Sequence, residues 1–131
     1  MAKFDVIFVD DEISLTEIFQ HYVLWKYKEW RFVTFTNSVM VYNEVVNDAL
    51  SAKVWIIDMM MPDKNGAELA QVIRKKNGET PVLLAYTALD RQALQSQDQY
   101  REGLHYFDRV INKKEDLADV LSLVDVWVKQ E

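Results

Sequence analysis

The sequence predicts an α/β fold, a doubly wound parallel sheet of five strands in the order 2-1-3-4-5 with helices on both faces. Three observations predict it. Apolar segments of strand length recur at Phe4–Val9, Phe32–Phe35, Val54–Ile57, Val82–Tyr86 and Tyr106–Ile111. Longer stretches with helical spacing separate them, and short connections between alternating elements give right-handed crossovers and a parallel sheet. The first, third and fourth runs are nearly continuously apolar, as strands covered on both faces are, which places them in the middle.

The helices follow from periodicity and from their ends. Leu15, Ile18, Phe19 and Tyr22 recur at offsets of three and four and predict a stripe facing the sheet. Ser38 is a candidate cap for a second helix, with Tyr42, Val45, Val46 and Ala49 as its apolar stripe. A third helix begins near Gly66, turns Leu69, Ala70 and Ile73 inward, and stops before Asn77, Gly78 and Pro81. Asp90–Glu102 is the weakest helical segment: four glutamines accompany only Ala93, Leu94 and Tyr100, so an exposed, loosely held helix is expected. The last helix carries Leu117, Val120, Leu121, Val124 and Val128 and runs nearly to Glu131, with no output domain expected after it.

Composition bounds the function classes. A chain of 131 residues, half of them hydrophobic, fits one domain over 1–131 with a packed core. No linker, repeat or low-complexity segment divides it. The absence of cysteine excludes disulfides and thiolate zinc sites and is compatible with a reducing cytosol. Met1 to Asp10 is too short and too soon acidic for a secretory signal, and no apolar run approaches the roughly eighteen residues of a membrane span, so a cytoplasmic protein is expected. The net charge of −6 argues against binding nucleic acid, and Arg74-Lys75-Lys76 reads as a solvated helix end. Gly66, Gly78 and Gly103 make no glycine-rich phosphate loop.

In an open parallel sheet ligands bind beyond the carboxyl ends of the strands. Asp10, Asp11 and Glu12 follow the first strand, Asp58 the third, Thr87 and Ala88 the fourth, and Lys113 the fifth. Carboxylates gathered at one sheet edge repel one another unless a hard cation or a lysine sits among them. Oxygen ligands with room for water suit Mg²⁺ or Mn²⁺. Beside such a cation one carboxylate can attack a phosphoryl donor, and Asp58 is the best nucleophile by position. Each residue also has a plainer reading: Asp10 or Asp11 as a helix cap, Asp58 as a turn residue, Thr87 as a β-branched strand residue. His21 and His105 lie apart from the cluster, and the tryptophans and methionines read as packing.

Strand-Asp10-Asp11, Asp58-Met-Met-Met-Pro62-Asp-Lys-Asn-Gly66, Thr87-Ala88 and Asn112-Lys113-Lys114, each after its proper strand, together resemble the receiver domain of two-component response regulators over nearly the whole chain. The resemblance implies a (βα)5 flavodoxin-like sandwich whose Asp58 takes a phosphoryl group from a histidine kinase or a histidine phosphotransfer protein. It implies Mg²⁺ held by Asp11, Asp58 and the backbone carbonyl of Met60, with Asp10 helping through water. It implies that Thr87 and Lys113 contact phosphoryl oxygens, and that Pro62 and Gly66 shape the loop, glycine through its wider backbone freedom. Output, and any homodimer, is expected at the face of the fourth helix, fifth strand and fifth helix. No enzymatic activity beyond the domain's own phosphorylation and dephosphorylation is expected.

The chain departs from the family pattern at four places. Lys114 stands where a proline usually follows the lysine, which unsettles the placement of Lys113. Val110 stands where an aromatic residue commonly swings inward. The stretch from Thr87 to Lys113 is a few residues long for the family. Met60 and Leu89, at positions that tune loss of the phosphoryl group, cannot orient an attacking water, so slow self-dephosphorylation is expected. Two other readings compete. An aspartyl-phosphate hydrolase of the haloacid dehalogenase type needs an acid two residues after the nucleophile, where Met60 stands. A domain of the same fold that is never phosphorylated would bind partners alike with Asp58 or Asn at that position.

Overall fold

Strands β1 (Phe4–Val9), β2 (Phe32–Phe35), β3 (Ala52–Asp58), β4 (Val82–Thr87) and β5 (Arg109–Asn112) form one parallel sheet in the order β2-β1-β3-β4-β5. The computed structural model describes residues 2–130, and the end residues Met1 and Glu131 of the expected 1–131 domain lie outside them. Helices α1 (Ile13–Lys26), α2 (Ser38–Val46), α3 (Gly66–Asn77), α4 (Arg91–Gln95), α5 (Asp98–Arg101) and α6 (Leu117–Val128) connect and flank the strands, with a 3-10 turn at Leu104–Tyr106. None of these helices is long and apolar enough to cross a membrane.

Alternation along the central strands feeds two cores. Val6, Phe8, Val54, Ile56, Leu84 and Tyr86 pack against Phe19 and Val23 of α1 and Val120, Leu121 and Val124 of α6. Ile7, Val9, Trp55, Ile57 and Leu83 face Val41 and Val45 of α2 and Leu69, Ala70 and Ile73 of α3. A large side chain fully buried in this way contributes roughly 1.5–3 kcal/mol. The central strands therefore hold the sheet, whereas all four residues of edge strand β2 are only half-buried.

Several local expectations are corrected. Asn37, not Ser38, caps α2, its side chain accepting the Met40 N–H at 3.1 Å. Ser38 is buried and its hydroxyl donates to the Pro62 carbonyl at 2.9 Å. On α1 the inward stripe is Thr16, Phe19 and Val23, and Ile18 is 56% exposed. On α2, Val41 replaces Val46 on the buried face, and Ala49 lies beyond the helix. Asn77 is the last residue of α3, with Gly78 as its C-cap at φ 71°.

The glutamine-rich segment breaks into α4 and α5 at Ser96, but it is anchored: Leu94 and Tyr100 are buried in a third cluster with Met59, Ala67, Ala85 and Leu104. Tyr106 belongs to the 3-10 turn, and β5 starts three residues later at Arg109. The apolar run there serves two purposes, since Tyr106 and Phe107 pack on the α3 side before the strand begins.

Register brings the strand ends level. Val9 pairs with Ile57, Asp58 with Tyr86, and Thr87 with Asn112. Asp10, Asp58, Thr87 and Lys113 therefore arrive at one edge of the sheet.

Candidate functional site

Asp10 leaves β1 with its backbone N–H still paired to the Phe35 carbonyl at 3.0 Å, and its side chain has no solvent exposure. Its Oδ1 accepts the Glu12 N–H at 2.9 Å, a turn that aims the second oxygen, Oδ2, into the pocket. Asp11 is exposed beside it. Asp58 ends β3, is 3% exposed, and its Oδ1 accepts the Met60 N–H at 3.2 Å. One oxygen from each of Asp10, Asp11 and Asp58 lies within 4.8 Å of the others.

Lys113 enters from the far side. Its Nζ is 2.9 Å from Asp10 Oδ2 and 3.5 Å from Asp58 Oδ2. The nearer approach is a charge-assisted contact, and it gives the buried Asp10 Oδ2 its partner. The Lys113 backbone N–H donates to the Thr87 carbonyl at 2.8 Å, fixing the turn despite Lys114 in the next position. Thr87 is fully buried and its Oγ1 accepts the Leu89 N–H at 3.1 Å, which leaves its hydroxyl hydrogen as a donor.

Crowding sets the electrostatics. Burial, and then the neighbouring Asp10 charge, push the Asp58 carboxyl up to about 7 against the opposing pull of Lys113. Burial likewise raises Asp10, and Lys113 opposes it. For Lys113, burial works against the ammonium, but Asp10 and Asp58 outweigh it and its pKa is raised. The pocket thus holds more negative charge than one ammonium neutralises. Three converging carboxylates form a hard oxygen donor set that fits a divalent cation of the Mg²⁺ or Mn²⁺ kind. Met60 stands at the rim, 48% exposed.

The loop after Asp58 is held from both sides. Ser38 Oγ bridges the Pro62 carbonyl and the Lys64 N–H, at 2.9 and 3.3 Å. Asn65 and Glu68 form a reciprocal capping box at the start of α3, with bonds of 3.0 and 3.1 Å. The pattern Asn65-x-x-Glu68 was visible in the sequence, whereas the Ser38 bridge joins distant segments and left no local signal. Gly66 does not take a left-handed backbone conformation; Asp63, at φ 67°, does. Glycine is needed at 66 for space, because a β-carbon there would stand 2.5 Å from the Asp58 carbonyl oxygen and 2.9 Å from Met59 Cα. Val110, at the position of the missing aromatic residue, is half-buried against the third cluster.

No protein-family profile matches the chain. A curated relative, the transcriptional regulatory protein CssR of Bacillus subtilis (strain 168), is 28% identical over 81 residues, covering 62% of this chain and 34% of that protein. The match thus spans about a third of the relative's length. Among solved structures, the receiver domain of the Francisella response regulator 1452 superposes with a TM-score of 0.76 at 20% identity, covering 97% of this chain and 98% of that one. Response regulator TrrA of Thermotoga maritima, solved in complex with Mg²⁺ and BeF, gives 0.71 at 20% identity over 94% and 97% of the two chains. The chain has the receiver-domain fold.

Proposed function

We propose that this chain, carrying the fold of response-regulator receiver domains, accepts a phosphoryl group on Asp58 and changes its surface in response. The observation that carries this reading is the position of Lys113 Nζ, within 2.9 Å of Asp10 Oδ2 and 3.5 Å of Asp58 Oδ2, in a pocket of three converging acids. An ordinary helix cap or strand-end turn needs neither a lysine from the opposite strand nor a second and third carboxylate.

An Asp58 oxygen attacks phosphorus in line with the leaving group. The P–N bond of a phosphohistidine breaks, its electron pair returns to the imidazole, and an acyl phosphate forms on Asp58. Asp10, Asp11, Asp58 and the Met60 carbonyl would hold a divalent cation, Mg²⁺ with Mn²⁺ as a substitute, whose charge would offset that of the carboxylates and the transferring oxygens. Lys113 supplies a fixed positive charge to one phosphoryl oxygen, and the Thr87 hydroxyl donates to another. Rotation of Thr87 toward that oxygen gives up its bond from Leu89 N–H, which ties the phosphorylated state to the start of the α4 segment.

The partners that fit this chemistry are a cytoplasmic histidine kinase or histidine phosphotransfer protein as donor, and a downstream target or second copy at the α4, β5 and α6 face. Beyond its own phosphorylation and slow dephosphorylation the domain is not an enzyme in this reading. Met60 offers no general acid for ester hydrolysis, and neither Met60 nor Leu89 can direct a water at the acyl phosphate.

Incubation with acetyl phosphate and Mg²⁺ tests the assignment. Intact mass should show one added phosphoryl group on the wild type and none on Asp58→Ala, with no labelling when chelator replaces the metal. Equal labelling of both proteins would end the Asp58 assignment.

A further inference from the structure

Beneath the acidic pocket runs a row of aromatic rings that none of the roles above uses. Phe19 of α1 stacks on Phe8 of β1 with centroids 4.3 Å apart, and Phe8 meets the edge of Tyr86 at 6.2 Å. Tyr86 is 2% exposed and pairs in register with Asp58 on one side and Ile111 on the other. Lys113 Nζ lies 5.9 Å from the Tyr86 ring centroid, within reach of a cation–π attraction. The row therefore ends under the ammonium that pairs with Asp10 and Asp58.

We infer that Tyr86 is a positioning residue for Lys113, its ring holding the lysine side chain over the pocket. The inference rests on the phosphoacceptor reading above and adds a residue to it. A lysine carries four rotatable bonds, so its charge is useful at one place only if something restricts it. Lys114 follows Lys113 and supplies none of a proline's stiffness at that turn. The ring constrains the side chain, while the Lys113 N–H to Thr87 carbonyl bond at 2.8 Å constrains the backbone. Phe8 and Phe19 keep the ring from tilting away. An aliphatic residue at 86 would fill the core but leave the ammonium held by its ion pairs with Asp10 and Asp58 alone, with more freedom to move toward solvent, since the Lys113 side chain is 19% exposed.

The test uses Tyr86→Leu and Tyr86→Phe in the full chain, each alone and combined with Lys113→Ala, and reads the rate of phosphorylation by acetyl phosphate at saturating Mg²⁺. Tyr86→Leu should slow labelling about fivefold, the size of one modest cation–π contact, and Tyr86→Phe should stay within about twofold. In the Lys113→Ala background Tyr86→Leu should have no further effect, because the residue acts only through the lysine. The same factor in both backgrounds, or an unchanged rate in the first, overturns the inference. A second readout needs no phosphorylation: the methylene protons next to Lys113 Nζ should be ring-shifted in the wild type and in Tyr86→Phe but not in Tyr86→Leu. Absence of that shift overturns the positioning role by itself, whereas a wild type that shows the shift but takes no label overturns the phosphoacceptor reading instead.

Discussion

Lys113 Nζ lies 2.9 Å from an oxygen of Asp10, a carboxylate with no solvent exposure. The ammonium is the built-in counter-ion of the pocket, and any divalent cation that binds there shares the same carboxylates with it. Two cations so close repel each other even at a moderate effective dielectric. Lys113→Met should therefore tighten Mg²⁺ binding about fivefold by titration calorimetry while slowing phosphorylation, whereas Asp11→Asn should weaken Mg²⁺ by about tenfold or more. Weaker Mg²⁺ binding by Lys113→Met would show that the lysine organises the metal site rather than competing for it.

The pH response of the metal-free protein follows from the same crowding. Asp58 is pushed from the ordinary range near 3.8 to about 7 by burial and by Asp10, and Asp10 is raised in the same direction. The folded state then binds more protons than the unfolded chain, so their contribution to stability is complete below about pH 4 and is lost as pH rises through about 7. Asp58→Asn should stabilise the metal-free domain at pH 8 by on the order of 2 kcal/mol, and the difference should vanish near pH 4. Mg²⁺ should reverse the order at pH 8 by stabilising the wild type alone. Urea titrations at both pH values with and without Mg²⁺ decide it, and a wild type at least as stable as Asp58→Asn in chelator at pH 8 would refute the premise.

Much of this arrangement was legible in the chain because its physical causes are local. Strands buried on both faces must be apolar throughout, so β1, β3 and β4 stood out, and the residues after them marked the sheet edge where Asp10, Asp58 and Thr87 lie. The lysine could be placed only by likeness, since Lys113 and Lys114 are equivalent in sequence. It is the Lys113 N–H to Thr87 carbonyl bond that selects one of them. What was missed depends on contacts between distant segments. Ser38 read as a cap because serine favours that position, yet its hydroxyl serves the Pro62 carbonyl 24 residues away. Tyr106 read as strand because apolar composition does not distinguish a strand from a 3-10 turn packed on α3. Tyr86 read as the end of the fourth strand run, within which it lies, and nothing along the chain shows that Lys113 lies over it.

Gly66 is constrained by the backbone at the end of β3, where Asp58 lies, rather than by its own torsion angles. A β-carbon there meets the Asp58 carbonyl oxygen at 2.5 Å and Met59 Cα at 2.9 Å, neither of which can rotate away. Gly66→Ala must therefore shift α3 or the Met59–Asn65 loop, at a cost of about 2 kcal/mol of overpacking. The same shift moves Met60 and Asp58, so Mg²⁺ affinity and phosphorylation rate should fall along with the urea midpoint. Gly78→Ala gives the contrast: its φ of 71° strains an alanine, but no atom lies within 4 Å, so stability should drop by about 1 kcal/mol with Mg²⁺ binding unchanged. Equal effects of the two substitutions on Mg²⁺ affinity would contradict the steric argument.

Arg74 holds the opposite end of the molecule and separates stability from chemistry. Its side chain, 6% exposed, donates to the carbonyls of Tyr106, Gly78 and Pro81 at 3.0, 3.2 and 2.7 Å and to Asp108 Oδ2 at 3.1 Å. Asp108 Oδ2 also accepts the Leu83 N–H at 2.8 Å, so one ion pair ties α3 to β4 and to the approach of β5. Arg74→Met keeps the stem but takes the Arg74 donors from three carbonyls and the counter-ion from Asp108, and should cost about 3 kcal/mol in urea unfolding. Asp108→Asn retains an acceptor for Leu83 and should cost about 1 kcal/mol. Neither residue approaches the acidic pocket, so both variants should label with acetyl phosphate at the wild-type rate under conditions where they remain folded. A slowed rate in folded Arg74→Met would mean that the base of β5 communicates with Lys113 along the strand, and the separation of stability from chemistry would not stand.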